Sequence, residues 1–151
     1  MFRGANKVTL DAKGRMAMPA RYRDTLVERS EGRLVATVDR ADRCLLIYPL
    51  PDWEEIERKL MRLPSLNPQA RRLQRLMVGH ATDLELDSHG RVLVPPKLRE
   101  YAGLTRQATL IGQGNRFELW DEQHWNARRE AWLQAGEETG DLSPELEQLS
   151  L

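Results

Sequence analysis

A chain of 151 residues can fold as one ordinary domain or as two small halves that depend on each other. Its 23 lysines and arginines balance 23 aspartates and glutamates, which argues against a uniformly basic nucleic-acid binder; its single cysteine, Cys44, rules out an intramolecular disulfide and points to a reducing compartment. The opening Met1-Phe2-Arg3-Gly4 has no apolar leader-like run and no segment approaches membrane-spanning length, so a soluble cytoplasmic protein is expected.

Lys7-Val8-Thr9-Leu10 alternates polar and apolar residues, residues 11–14 are turn chemistry, and Arg15-Met16-Ala17-Met18 alternates again before Pro19. That pattern predicts a strand, a tight turn and a strand, with Gly14 suited to a turn position of positive φ. Residues 19–26 predict a short helix, since proline is tolerated in a first turn. Residues 34–38 and 44–48 predict two more strands. A helix should open at Pro51, with Asp52 as N-cap and Glu54 and Glu55 near its positive end, and run to about Leu63. After Pro64-Ser65-Leu66-Asn67-Pro68 a second helix carries Leu73, Leu76 and Met77 on one stripe and Arg71, Arg72 and Arg75 as a solvated face.

The pattern then starts again. Residues 83–86 and 91–94 predict strands around a turn at residues 87–90, residues 96–102 a helix, and residues 108–111 and 117–120 strands. A helix follows over 121 to about 135. Residues 136–151 form an acidic tail in which Ser143-Pro144-Glu145-Leu146 suits one last helical turn.

This recurrence is a repeat at residue level. Leu10-Asp11-Ala12-Lys13-Gly14-Arg15-Met16-Ala17-Met18-Pro19 returns in register as Leu86-Asp87-Ser88-His89-Gly90-Arg91-Val92-Leu93-Val94-Pro95, 76 residues later. Leu45-Leu46-Ile47-Tyr48, followed by Trp53, is echoed by Phe117-Glu118-Leu119-Trp120, followed by Trp125, at a spacing of 72; the second copy has lost about four residues from an internal loop. Duplication is the economical explanation. The fold class is α+β and β-rich, with two β-β-α-β-β units each followed by helices. The chain divides into a first repeat (1–50), a helical connector (51–79), a second repeat (80–122) and a C-terminal helix with acidic tail (123–151). Halves this small need a partner surface, so a homo-oligomer is expected.

Convergent catalytic groups are absent from the pattern. His80, His89 and His124 show no metal-ligand spacing, and Gly112-Gln113-Gly114 falls in a strand connection with no helix behind it to bind phosphate. The expectation is no enzyme, no cofactor, no metal and no small-molecule substrate. Asp11 and Arg15, like Asp87 and Arg91, can form a cross-strand ion pair around their turn, worth only about 0.2–1 kcal/mol when exposed. Charge separates the copies. Residues 1–23 carry Arg3, Lys7, Lys13, Arg15, Arg21 and Arg23 against Asp11 alone, whereas residues 117–151 carry nine acids against Arg128 and Arg129.

A basic two-stranded ribbon fits the DNA major groove, where arginine forks to guanine O6 and N7. Arg15 and Lys13 are therefore the leading candidates for DNA contact, with Arg3, Lys7 and Arg21 in support. The second copy has His89 at the turn and Asp83 and Glu85 ahead of it, which makes it scaffold; Asp87, Gly90 and Arg91 are its hairpin signature, as Asp11, Gly14 and Arg15 are in the first. Repeated heads on a symmetric assembly predict direct repeats in the target, spaced about 10–10.5 base pairs apart. Tyr48, Trp53, Trp120 and Trp125 read as packing anchors or oligomer contacts.

With these residues in view, the chain resembles the MraZ family of bacterial regulators, built from two AbrB-like (SpoVT-AbrB) repeats. The resemblance rests on Met1-Phe2-Arg3-Gly4, the Asp11-Ala12-Lys13-Gly14-Arg15 signature, residues 45–51, 72–79 and 87–95, and Phe117-Glu118-Leu119-Trp120-Asp121. It implies a pseudo-symmetric swapped-hairpin barrel assembled into rings of eight or twelve. It further implies a nucleoid-associated, sequence-specific transcriptional regulator, a repressor of the division and cell-wall gene cluster including its own promoter, binding GTGGG-type repeats. His89 departs from the small turn residue common in the family. The competing expectations are a ring-forming interaction scaffold and an antitoxin-like module without promoter specificity.

Overall fold

The computed structural model describes residues 1–138 and 142–150; of the expected acidic tail, residues 139–141 and 151 lie outside the described residues. In chain order the elements are β1 (Phe2–Thr9), β2 (Arg15–Ala17), α1 (Ala20–Ser30), β3 (Arg33–Val38), β4 (Leu45–Pro49), α2 (Leu50–Met61) and α3 (Pro68–Met77). These are followed by β5 (Thr82–Glu85), β6 (Arg91–Leu93), α4 (Pro96–Ala102), β7 (Gln107–Gly114), β8 (Phe117–Asp121), α5 (Glu122–Glu138) and α6 (Pro144–Glu147). The protein is α+β and strand-rich, and each half runs β-β-α-β-β before its helices.

The halves interlock. Six strands form one antiparallel sheet in the order β1-β7-β8-β4-β3-β5, and β2 pairs separately with β6. The first strand of each half lies against the third strand of the other: Phe2 faces Gly114 on β7, and Glu85 faces Arg33 on β3. The second strands meet with Met16 opposite Val92. This corrects the simple strand-turn-strand reading, because β1 and β2 are joined only by an isolated bridge between Leu10 and Met16. The reason is burial. Met16, Met18, Val92 and Val94 are all almost fully enclosed, and a single half has too little apolar surface to enclose them. The edge strands β1 and β5 run directly into β2 and β6, so the short ribbon spans the gap between the edges and eight strands wrap one core.

That core draws on both halves, with Phe2, Tyr22, Leu34, Ile47, Val92, Leu110 and Phe117 in one cluster. Phe2 and Phe117 rings sit 4.3 Å apart and Tyr22 meets both edgewise. A smaller cluster of Val35, Leu46, Tyr48, Trp53 and Leu60 lies under α2 and α3, where Leu73 and Met77 pack as their stripe predicts. Arg71, Arg72 and Arg75 are exposed on the other side. The four-residue offset between the repeats falls where expected: β3 and β4 are linked by residues 39–44, β7 and β8 by residues 115–116.

Three local expectations change. Asp52 is not an N-cap: α2 leaves β4 directly through Pro49, which caps without a side chain, and Asp52 is buried in the first turn. There it accepts from Arg29 Nε at 2.7 Å and Nη2 at 2.6 Å, a fork that satisfies a carboxylate the helix start does not need. Helix α1 runs on to Ser30, stopped by Glu31 in the left-handed region, rather than ending near Leu26. Gly112 and Gly114 are part of β7, not of a connection, because pairing with the long β1 extends that strand. Helix α3 does carry a side-chain cap: Asn67 accepts from the backbone N–H of Gln69 and Ala70. Tyr48, Trp53 and Trp120 are buried anchors, while Trp125 is half-buried against Trp120 and Trp132.

Candidate nucleic-acid interface

Each turn is organised by its aspartate. Asp11 Oδ1 accepts from the backbone N–H of Lys13 at 3.0 Å and of Arg15 at 2.9 Å, and Oδ2 accepts from Arg15 Nε at 2.8 Å. Backbone bonds from Asp11 N to Arg15 O and from Gly14 N to Asp11 O close the loop. The bond from the Arg15 N–H leads in pulling the Asp11 carboxyl down from 3.8 to about 2, helped by the Arg15 guanidinium and the Lys13 N–H. The second turn repeats this. Asp87 accepts from His89 N at 2.8 Å, Arg91 N at 2.9 Å and Arg91 Nε at 3.2 Å, and its carboxyl is lowered chiefly by the Arg91 N–H. Both ion pairs are partly exposed, at 36–40% of their side-chain surface, so they set turn geometry more than stability.

The two turns are clasped across the halves. Gly14 O accepts from Val94 N and Gly90 O from Met18 N, each at 2.9 Å. Arg99 Nε donates to Val94 O at 2.9 Å and Arg23 Nε to Met18 O at 2.7 Å. Each guanidinium fills the space a side chain would take at the opposite glycine: a Cβ on Gly14 would lie 2.5 Å from Arg99 Nε, one on Gly90 2.6 Å from Arg23 Nε. Both glycines have positive φ, +90° and +72°. The sequence reading singled out neither Arg99 nor the clasping role of Arg23. The repeat held the signal, because the two arginines occupy matching positions 76 residues apart.

Met16 and Val92 point inward, so strand alternation puts Arg15, Ala17, Arg91 and Leu93 on the outer face of the ribbon. Lys13 is exposed in the first turn. Beside that turn lies a groove of about 760 Å³ lined by Arg15, Arg91, Arg99 and Arg106, with Asp11 as its one acid. Asp11 is already held by Arg15. The strand leading to the second turn instead exposes Asp83 and Glu85.

The other candidates lie apart. Arg3 and Lys7 are exposed on the sheet-edge strand β1, and at about 3.3 Å per residue Arg3 is roughly 26 Å from the start of the turn. Arg21 is spent locally: its Nη2 donates to Asn6 Oδ1 at 2.7 Å, to Tyr22 OH at 2.8 Å and to Arg3 O at 3.3 Å, which holds the start of β1. Arg15 and Lys13 are therefore brought together with Arg91, Arg99 and Arg106, and Arg3 and Arg21 with each other.

Among the described residues one group places three ligand-type atoms within 4.8 Å of one another: Asp39 and Cys44, five residues apart, and Glu118 from the other half, which spacing does not reveal. Burial, with Glu118, Asp39 and Asp42 nearby, pushes the Cys44 thiol well up, so it is held as S–H. Glu118 already accepts from Trp120 Nε1 and Asp39 from Asp42 N. No helix among the described residues is long and apolar enough to cross a membrane.

Comparison with known proteins accounts for both copies. The family model described as "MraZ protein, putative antitoxin-like" matches residues 1–76 and again 77–140. The chain belongs to the MraZ family. Relatives named "Transcriptional regulator MraZ" include those of Halorhodospira halophila, 59% identical, and of Thioalkalivibrio sulfidiphilus and Pseudomonas aeruginosa strain LESB58, both 60% identical; each alignment covers 100% of both chains. These MraZ relatives carry a regulator's name and not an enzyme's, in agreement with the absence of a catalytic pattern in the sequence. The family-model boundary, between residues 76 and 77, falls at the end of α3, so the first MraZ match takes in one β-β-α-β-β unit with α2 and α3, and the second takes in the other unit with α5.

Proposed function

We propose that this MraZ-family chain is a sequence-specific DNA-binding transcriptional regulator, a repressor of the division and cell-wall gene cluster including its own promoter. It reads direct GTGGG-type repeats through the first turn of each copy in a homo-oligomeric ring of eight or twelve, and so works at the nucleoid. The observation that carries the reading is the state of Arg15. Its Nε is fixed by Asp11, while its two terminal nitrogens have no protein partner among the described residues. A guanidinium held by one edge and free at the other is prepared to fork to guanine O6 and N7. Lys13 beside it, and the arginines of the adjoining groove, supply phosphate contacts that fix register without reading sequence.

Arg3 and Lys7 extend the positive charge along β1, and Arg21 supports it by holding Arg3. Acids ahead of the second turn favour the first turn as the reading head, with Arg91 adding charge from the shared ribbon. Net neutrality is consistent with this, because Arg15, Arg91, Arg99 and Arg106 line one groove whose one acid, Asp11, is already held by Arg15. Guanine-methylation interference on a duplex of three GTGGG-type repeats tests the reading. Interference at the guanines of each repeat, with a reporter repressed by the wild type and released by Arg15→Ala, is the expected result. A scaffold or an antitoxin-like module would give no interference pattern and no repression. Native mass spectrometry counts the copies; a monomer would remove the ring.

A further inference from the structure

We propose that the acidic C-terminal segment of one copy docks, through Leu142, Leu146 and Leu149, into the basic apolar groove beside α3 of a neighbouring copy. This rests on the homo-oligomeric part of the reading above and is independent of the DNA part. Two adjoining hollows of about 570 and 450 Å³ share Arg72 and Leu76 and run along α3 from Leu63 and Leu66 to Arg75. Leu63 and Leu66 are 36% and 93% exposed and line these hollows, so apolar surface continues along them. Residues 58–80 carry Arg58, Lys59, Arg62, Arg71, Arg72 and Arg75 and no acid. No carboxylate among the described residues pairs with Arg71, Arg72 or Arg75.

The tail is the complement. Residues 136–151 contain Glu137, Glu138, Asp141, Glu145 and Glu147 and no lysine or arginine. Leu142, Leu146 and Leu149 are spaced four and three apart, one stripe of a helix that α6 has begun, and all three are about half exposed. A helix this short is marginal in water unless its apolar stripe is covered. Among the described residues of one chain, nothing covers the stripe, and the groove stays open. Every copy carries one of each, so the contact can pass head to tail from copy to copy, and it forms a ring where the rotation between copies closes.

The test uses the full-length chain with Leu146 replaced by the photocrosslinker p-benzoylphenylalanine in ¹⁵N-labelled copies, mixed with unlabelled copies. Native mass spectrometry first establishes mixed-isotope oligomers; finding only monomer would remove both the oligomer and the docking. Crosslinked peptides joining the ¹⁵N tail to unlabelled residues 63–76, lost in Arg71→Glu/Arg72→Glu/Arg75→Glu, are the expected result. Mixed oligomers whose tail crosslinks fall within one copy, fall elsewhere, or survive the charge reversal would overturn the docking and leave the oligomer standing. The three arginines are exposed, so the variant keeps its fold, which circular dichroism checks.

Discussion

Replacing Gly14 by alanine probes the clasp that joins the two halves. The residue sits at φ +90°, where a side chain costs about 1–3 kcal/mol in backbone strain. The new Cβ would also lie 2.5 Å from Arg99 Nε and 2.8 Å from Val94 O. Arg99 can swing away, but it then forfeits a charge-assisted bond to Val94 O worth about 1.5–3 kcal/mol. Val94 O is backbone, in the residue whose N–H donates to Gly14 O, and can retreat only by loosening the clasp. The combined cost is about 3–5 kcal/mol, which lowers the melting temperature of a chain this size by roughly 10 °C. Gly90→Ala is the internal control: there the three atoms nearest the Cβ all belong to the flexible Arg23 side chain rather than to backbone, so a smaller loss is expected. Thermal unfolding followed by circular dichroism, at one protein concentration because oligomerisation shifts the midpoint, decides it. A Gly14→Ala midpoint within about 2 °C of wild type, or a larger loss in Gly90→Ala, would refute the clasp as drawn.

Other consequences are equally concrete. Arg29→Ala leaves the buried Asp52 carboxylate without its fork and should cost about 2 kcal/mol, below the range for a fully buried pair because Arg29 is half exposed; urea unfolding measures it. The depressed Asp11 carboxyl contributes stability that is present above its ordinary 3.8 and lost as pH falls toward about 2. A ¹³C-detected carboxylate titration should therefore find Asp11 still ionised at pH 3, and a midpoint at the ordinary value would count against the turn geometry. Cys44, buried with its thiol pushed up, should resist a thiol reagent at pH 8 in the native protein and react fully in urea. Fast native labelling would contradict its burial.

The repeat made much of this architecture legible. Alternation around Asp11 and Asp87 placed the strands and turns, Pro19 and Pro96 marked helix starts, and the shift from 76 to 72 located the shorter loop at residues 115–116. What alternation does not encode is a partner. Val8, Leu10 and Met16 alternate in the same way whether β1 pairs with β2 or with β7, so the interleaving entered only through family resemblance. Asp52 misled because an acid after proline looks like a cap, and its fork with Arg29 joins residues 23 apart on different helices. For the candidate interface, turn chemistry already set Arg15 and Lys13 side by side around Asp11. The groove arginines Arg99 and Arg106 come from a helix and a loop of the other half, brought there by the swap, and no local pattern announces them.

The most direct test of the central claim is fluorescence anisotropy with a duplex of three GTGGG-type repeats and a scrambled duplex, each across a salt series, for wild type and Arg15→Ala. The account predicts preference for the repeats, a negative slope of log affinity against log salt, and a loss of about 1–3 kcal/mol per engaged head in the variant, with its oligomer intact. Equal binding of both duplexes at every salt concentration, or an Arg15→Ala variant that keeps its preference, would contradict it.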